Sequence, residues 1–160
     1  MWERVADRFP DAPSQICAGR TVLWAEFDRR ADGVATTLLE RGAQHQDKVA
    51  HYLYNCPEFL ETTFALFKAA LVPVNTNYRY TADELHYLWT NGDVVAVVFH
   101  GAFADTCSAM RARCPLIHTW LWVDDGSGPC PDWAAPYEVA AAAGRQRVHP
   151  DWGRSADDLY

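Results

Sequence analysis

Three side chains of the kind that binds zinc lie near one another in the sequence: Cys107, Cys114 and His118. Zinc sites in proteins usually place their paired ligands roughly two to four residues apart. Here six residues separate the two cysteines and three separate Cys114 from His118. Both cysteines also fall on or beside one predicted helix. We therefore interpret them as small core residues and expect no metal site.

Four carboxylates stand close to predicted helix starts: Glu58, Glu61, Asp83 and Glu84. Acid–base catalysis by paired carboxylates needs two environments that push their pKa values apart. These four residues include no isolated pair flanked by apolar residues, and negative charge is favourable in the first turn of a helix. We interpret all four as helix-start charges.

Two histidines fall in predicted buried strands, His51 within the first and His100 at the end of the third. Ligand crevices of parallel α/β sheets form at strand ends, so His100 is a candidate for a binding role. A polar residue satisfied by its neighbours is the commoner state of a histidine at such a position. We favour that second interpretation of His100.

The serines and glycines do not form a recognisable phosphate-binding loop or nucleophile motif. Gly126-Ser127-Gly128 is too short for a phosphate-binding loop, and we predict a flexible turn there. A nucleophile elbow needs glycines around its serine, and this frame is missing at Ser14, Ser108, Ser127 and Ser155. We accordingly assign no catalytic, cofactor-binding or metal-binding residue to the chain.

The segment from Asn75 to Tyr80 has the most function-like composition, being polar and rich in aromatic residues. A loop that follows a parallel strand faces the ligand crevice, so Arg79 is positioned to contact a phosphate or a carboxylate. Alternatively, Arg79 and Tyr80 brace the loop against its neighbours while Thr81 caps the next helix. We favour the bracing role.

Residues 47–85 are the stretch that positions these candidates. Val49–Tyr54 and Leu71–Val74 are short apolar runs of the length of buried strands. Between them a helix begins near Pro57, and its predicted core face consists of Phe59, Thr63, Leu66, Phe67 and Ala70. A strand, a crossover helix and a second strand favour a parallel pair. Thr81 and Glu84 then form a capping box that opens another helix.

The remaining elements extend the same pattern on both sides. Further predicted strands are 94–99 and 119–123, and a small hairpin joins 15–17 to 21–23. Further predicted helices are 2–9, 24–41, 102–113 and 137–143. The expected fold class is thus α/β: a partial doubly wound parallel sheet with flanking helices, plus a small β-hairpin.

Composition narrows the function classes. The 160 residues are 49% hydrophobic with a formal net charge of −7 and no block of Lys or Arg, which argues against nucleic acid as a partner. No apolar run has the length of a membrane span. The five cysteines are odd in number and lack paired spacing, so we expect a reduced, cytoplasmic protein.

Several collinear motifs resemble those of adenylate-forming acyl-CoA synthetases, and most of all the actinobacterial fatty-acid or steroid-acid CoA ligases. The similar segments are Leu23–Phe27, Asp47–Ala50, Asn55–Phe59, Lys68–Tyr80 and Arg154–Tyr160. Two local departures are visible: Leu23-Trp24 replaces Thr-Tyr and removes a helix-capping hydroxyl, and Ala70 replaces a glycine. If residue 70 needs a positive φ, the alanine is strained by roughly 1 kcal/mol.

The resemblance implies a parent reaction in which ATP, Mg²⁺ and CoA convert a small-molecule carboxylic acid to acyl-CoA, AMP and pyrophosphate. It also implies that the phosphate loop, the acidic residues for magnesium and ribose, and the C-terminal lid lysine lie beyond Tyr160. We therefore expect residues 1–160 to be an incomplete N-terminal part of an AMP-binding domain, divided into 1–46, a core at 47–124 and a lead-in at 125–160. The chain alone is expected to bind no cofactor and to be inactive.

Two alternatives to a truncated synthetase stay open. One is a free-standing α/β module that binds a ligand in the strand-end crevice. The other is an interaction module without catalysis, and self-association through an exposed sheet edge is expected in that case and in a truncated enzyme.

Overall fold

The computed structural model describes residues 2–144, 146–151 and 157–159. Its helices are α1 (Trp2–Arg8), α2 (Trp24–Glu40), α3 (Pro57–Ala69), α4 (Ala82–Asn91), α5 (Ala104–Arg111) and α6 (Tyr137–Ala142). Its strands are β1 (Pro13–Cys17), β2 (Arg20–Leu23), β3 (Lys48–Tyr52), β4 (Val72–Asn75), β5 (Val94–His100), β6 (Thr119–Val123) and β7 (Ala135–Pro136).

A five-stranded parallel sheet with the order β4-β3-β5-β6-β7 forms the centre, and β1 and β2 form a separate antiparallel hairpin. One apolar core lies between the sheet and helices α2, α3 and α6, and a second lies between the opposite face and helices α4 and α5. The predicted α/β fold class, with its doubly wound parallel sheet and hairpin, is confirmed.

Strand β6 illustrates how the sequence pattern produces the two cores. Side chains alternate between the faces of a strand, so Trp120 and Trp122 enter the core beside α4 and α5. Leu121 and Val123 enter the core beside α2 and α3. The sequence prediction for this strand is confirmed, whereas β7 was missed because two residues carry no periodic signal.

The predicted core face of α3 is correct for Leu66 and Ala70, which are both 0% exposed, and is wrong for the other three residues. Phe59, Thr63 and Phe67 are only partly buried, while Glu61 is 0% exposed and Lys68 is 1% exposed. Apolar periodicity selects hydrophobic residues, and it therefore passes over a buried stripe that contains two charges.

Lys68 is the centre of one buried ionic cluster. Its Nζ lies 2.7 Å from Asp28 Oδ1, 2.9 Å from Asp32 Oδ1 and 3.2 Å from Glu3 Oε1. The ammonium group also lies 4.7 Å from the centre of the Phe64 ring. Since the acidic partners belong to α1 and α2, this single cation fastens α3 to both helices.

Arg30 is the centre of a second cluster. Its Nε lies 2.9 Å from Glu61 Oε1, and its two terminal nitrogens each lie 2.7 Å from an oxygen of Glu138. The Tyr137 hydroxyl donates to Glu61 Oε2 at 3.2 Å. Burial raises the pKa of Glu61, and the Arg30 guanidinium opposes that rise. Arg30 thus joins α2 to α3 and to α6.

The helix ends agree with the predicted capping chemistry. Thr81 Oγ1 accepts from the Glu84 N–H, and the Glu84 carboxylate accepts from the Thr81 N–H at 2.8 Å. Gly42 has a φ of +99° and follows the end of α2. Ala70 ends α3 in the left-handed region at φ +54°, so the conditional strain at this alanine is present. Leu23 is the N-cap of α2 and makes no side-chain cap bond.

Replacing the N-cap Leu23 should show how much a capping hydroxyl at this position would stabilise the fold. The Trp24 and Ala25 N–H groups of α2 already donate to the carbonyls of Ala12 and Pro10. We expect Leu23→Ser to have a free energy of unfolding about 1 kcal/mol above that of Leu23→Ala, because a serine at the N-cap can accept from the N–H of Glu26. Urea denaturation of both variants measures the difference, and equal stability of the pair would contradict this expectation.

Removing the Lys68 charge should be far more costly. Lys68→Met keeps most of the side-chain volume but removes the cation that Asp28 and Asp32 share, while Arg147 remains 3.2 Å from Asp28, so we expect a loss of about 3–5 kcal/mol. The control is Arg113→Met, which breaks the exposed pair with Asp83 and should cost about 1 kcal/mol or less. Chemical denaturation of the two variants tests the contrast, and similar losses would contradict it.

Candidate functional site

The topology of the sheet indicates where a ligand crevice would form. From β3 the chain moves outwards to β4 and then returns to the opposite side of β3 as β5. Such a reversal is a topological switch point, and open α/β sheets bind ligands at this point outside the carboxyl ends of the strands. The candidate site therefore lies after Tyr52 of β3 and His100 of β5.

Aromatic rings fill this position. The Tyr54 N–H donates to His100 Nδ1 at 3.0 Å, directly across the switch point. The Tyr54 ring lies 5.6 Å from the His100 ring, 5.0 Å from Tyr78 and 4.9 Å from Phe103, measured between ring centres. We call Tyr54, Tyr78, His100 and Phe103 the strand-end cluster. Tyr54 and Tyr78 are 43% and 42% exposed, so the cluster includes two partly exposed rings.

His100 is a fixed member of this cluster. Burial lowers its pKa, and the nearby carboxylates of Asp125 and Glu58 oppose that effect. Because Nδ1 accepts a backbone hydrogen bond, the neutral ring carries its proton on Nε2. The neighbours of His100 therefore satisfy it, in agreement with the favoured interpretation, although it also lies at the crevice.

Arg79 lies beside the cluster with its guanidinium carbon 5.4 Å from the centre of the Tyr78 ring. Its N–H donates to Asn77 Oδ1 at 3.0 Å, and the Tyr80 N–H donates to the Asn77 carbonyl. This turn holds Tyr78 against Tyr54. The geometry agrees with the bracing role for Arg79 and leaves its charge near the crevice.

The glycine turn after β6 binds its own acidic residues. The Gly126 N–H donates to Asp124 Oδ1 at 3.0 Å and the Ser127 N–H donates to Asp125 Oδ1 at 3.1 Å. Asp125 Oδ2 also accepts from the Ala102 N–H. Oriented N–H groups hold phosphates only when they are free, so this turn is unsuited to a phosphate group.

The three side chains that were considered as zinc ligands, Cys107, Cys114 and His118, do not lie together. Cys107 lies in the core beside α4 and α5, and His118 Nδ1 lies 3.0 Å from Thr119 Oγ1. Cys114 instead contacts His86, a residue that sequence spacing did not select because it comes from another helix. Within the described part of the chain, no group of three or more His, Cys, Asp or Glu side chains could hold a metal ion.

The four candidate carboxylates divide into two groups. Glu84 belongs to its capping box, Asp83 pairs with Arg113 at 2.8 Å, and Glu58 lies in the first turn of α3 within 3.5 Å of Arg20. Glu61 corrects the prediction, because it is a wholly buried partner of Arg30 rather than a helix-start charge.

The candidate serines stay apart from the cluster. Ser14 donates to the Val22 carbonyl in the hairpin, Ser108 is exposed on α5, and Ser127 belongs to the glycine turn. Ser155 lies outside the described residues.

Comparison with known proteins identifies the family. The model of the AMP-binding enzyme family matches residues 2–153. The chain belongs to this family. It is 34% identical to a 3-oxocholest-4-en-26-oate–CoA ligase of Rhodococcus rhodochrous, over 99% of this chain and 29% of that protein. A medium/long-chain-fatty-acid–CoA/3-oxocholest-4-en-26-oate–CoA ligase of Mycobacterium tuberculosis is 33% identical with the same coverage.

Solved structures agree with this placement. ATP-bound MatB from Rhodopseudomonas palustris superposes with a TM-score of 0.74 at 30% identity, covering 99% of this chain and 30% of that one. Acetoacetyl-CoA synthetase from Streptomyces lividans has a TM-score of 0.83 at 20% identity, which shows a shared fold. The chain thus spans about 30% of the length of these relatives. No described helix is long and apolar enough to cross a membrane.

The residues that the structure describes do not fit the magnesium that such a family uses. Mg²⁺ prefers one or two free carboxylates together with phosphate oxygens. The clustered carboxylates Asp28 and Asp32 are instead neutralised by Lys68 and, at Asp28, also by Arg147 at 3.2 Å. We derive no step through a metal ion at these residues.

His51 should give the fold a measurable pH dependence. Burial lowers the pKa of His51 from 6.5 to about 4, so the folded chain keeps it neutral while the unfolded chain takes up a proton below pH 6.5. Its contribution to stability is complete above pH 6.5 and is lost as pH falls towards 4. Between pH 7 and pH 4 we expect wild type to lose about 3 kcal/mol more than His51→Gln.

Urea unfolding at several pH values measures how steeply the free energy of unfolding of each protein falls as the pH falls. The matched control is His118→Gln, which removes an exposed histidine and so separates the burial of His51 from the loss of any histidine. A His51→Gln curve parallel to wild type would show that His51 is protonated equally in both states.

Proposed function

We propose that this chain is the N-terminal part of an acyl-CoA ligase for a fatty acid or steroid acid. The complete reaction would join the carboxylate to AMP from ATP and then exchange AMP for the thiol of CoA. The observation that carries the proposal is the family match over residues 2–153, together with relatives named as acid–CoA ligases that align with nearly the whole chain. In this proposal residues 1–160 are an incomplete AMP-binding domain.

The described residues support a structural role in the complete enzyme rather than a catalytic one. Phosphoryl and acyl transfer depend on cations and N–H groups aimed at the transferring group. In the described part of the chain, Lys68 and Arg30 are committed to buried carboxylates, and the glycine turn is committed to Asp124 and Asp125. We therefore propose that the 160-residue chain alone is inactive and that ATP, Mg²⁺ and CoA bind to the complete enzyme.

The alternative function is a non-catalytic module that binds a ligand at the strand-end cluster. Its support is the partial exposure of the Tyr54 and Tyr78 rings beside the Arg79 charge, since aromatic rings and a cation suit a planar anionic ligand. Direct binding of ATP to the purified chain distinguishes this alternative. Quenching of Tyr and Trp fluorescence that is lost in Tyr54→Ala would favour it.

Two smaller proposals accompany the main one. Five free cysteines fit a reducing compartment such as the cytoplasm. Counting the free thiols of the protein isolated from its native cells tests this proposal. Self-association through the sheet edge is proposed to be weak, because β4 has only four residues and includes Pro73.

The main proposal is tested by ATP–pyrophosphate exchange. We expect the purified 160-residue chain to give no carboxylic-acid-dependent exchange above a blank, with the complete Rhodococcus rhodochrous ligase and its 3-oxocholest-4-en-26-oate substrate as the positive control. Exchange by the chain alone would contradict the assignment of catalysis to other residues. Light scattering of the same preparation reports self-association, and a stable dimer would contradict the weak edge.

A further inference from the structure

A cysteine and a histidine meet away from the switch point, on the face of the sheet covered by α4 and α5. Cys114 follows α5, and its Sγ lies 3.7 Å from Nδ1 of His86 on α4. Thr90, one turn further along α4, places its Oγ1 3.3 Å from the same nitrogen. His86 Nδ1 can accept the thiol proton only in the tautomer that carries the ring proton on Nε2, and the role given to His86 below refers to that tautomer.

The backbone holds the two residues in this arrangement. The Cys114 N–H donates to the Met110 carbonyl at 2.9 Å, and the Ile117 N–H donates to the Cys114 carbonyl at 3.1 Å. The adjacent Arg113 pairs with Asp83 of α4 at 2.8 Å. The thiol therefore lies in a turn that is fastened to the helix bearing its histidine.

An apolar cavity of about 200 Å³ opens beside the thiol. Its walls are Trp89, Thr90, Val94, Cys114, Pro115 and Leu116. The Trp89 indole N–H donates to Thr76 at 3.1 Å, so it is already satisfied. An apolar cavity of about 150 Å³ can take a benzene-sized group, so this one has room for a short acyl chain.

The neighbouring histidine, the fastened turn and the apolar cavity together favour covalent chemistry at the Cys114 sulfur. A thiolate is the reactive form of cysteine, and a neighbouring base generates it by taking the thiol proton. Burial raises the pKa of the Cys114 thiol, while the Thr90 hydroxyl and the Arg113 charge lower it. The apolar walls of the cavity favour an electrophile with an apolar tail. A charged reagent would have to bury its ionic groups there, which is unfavourable.

We propose that Cys114 is an S-acylation site that takes a short apolar acyl group from an acyl-CoA thioester, with His86 as the base. The Cys114 sulfur forms a bond to the acyl carbonyl carbon as the bond from that carbon to the CoA sulfur breaks. The thiol proton passes to His86 Nδ1 and then to the departing CoA thiolate. One thioester replaces another, so no oxidant or reductant is needed.

The source of the thioester rests on the proposed function, since acyl-CoA is the product of that reaction. The test supplies the thioester directly and is therefore independent of exchange activity. Hexanoyl-CoA is incubated with the 160-residue chain, and intact-mass spectrometry with peptide fragmentation locates the adduct. We expect one hydroxylamine-sensitive hexanoyl group on Cys114.

Variants separate this site from an ordinary reactive thiol. Cys114→Ser should abolish the adduct. His86→Gln should slow its formation about 100-fold, the usual size of a general-base contribution. The matched control is Cys130→Ser, because the Cys130 thiol donates to the backbone carbonyls of Pro131 and Ala134. Its loss should leave the rate unchanged.

The cavity gives a further readout that does not require a variant. Relative to free N-acetylcysteine, the chain should react faster with hexanoyl-CoA than with acetyl-CoA, because only the longer group fills the apolar space. Acylation spread equally over several cysteines, an unchanged rate in His86→Gln, or no preference for the longer chain would each overturn the proposal. Failure here would leave the exchange experiment untouched, and the reverse also holds.

Discussion

Buried ion pairing is the constraint on which one whole face of the sheet depends. Lys68 and Arg30 project from α3 and α2 into space that apolar residues would normally fill, and each is surrounded by carboxylates from neighbouring helices. Burying a charge is unfavourable unless its partners are placed almost without error. The helices α1, α2, α3 and α6 therefore have one relative arrangement that satisfies both cations. A close backbone approach reinforces it, since any side chain at Gly33 or Gly144 would overlap carbonyl oxygens of the opposite segment.

This packing has a consequence for the candidate site. With α3 fixed by Lys68, both strands that flank it are fixed as well, and β3 is the strand at which the sheet reverses direction. Tyr54 leaves β3 only two residues beyond its end and reaches His100 of β5 through a backbone hydrogen bond. The strand-end cluster is thus positioned by the ends of β3 and β5 together with the turn that holds Tyr78.

The sequence predicted what depends on local chemistry. The alternation in β6 and the capping box at Thr81 follow from nearest neighbours, and both are present. The positive φ of Ala70 was only a condition that the resemblance raised. Glu61 was misassigned because its partner Arg30 is 31 residues away, and no local signal reports a pairing of that kind. His86 was missed as a partner of Cys114 for the same reason, and so were Tyr54 and Phe103 as members of the strand-end cluster. Arg30 stands between Arg29 and Ala31, and Glu61 between Leu60 and Thr62, so apolar flanking does not mark either charge as buried.

Folding and catalysis impose different demands on this chain. Each face of the parallel sheet is covered by helices of the same 160 residues, and the buried charges find their partners among them. The packing on both faces of the sheet therefore consists of contacts within the chain. The proposed ligase reaction demands free cations and free N–H groups aimed at phosphate, yet the cations and turns at the centre of this body are neutralised by its own carboxylates. The same ionic pairing that makes the fold specific thus removes those groups from nucleotide chemistry, and in this proposal that chemistry falls to other residues of the complete enzyme.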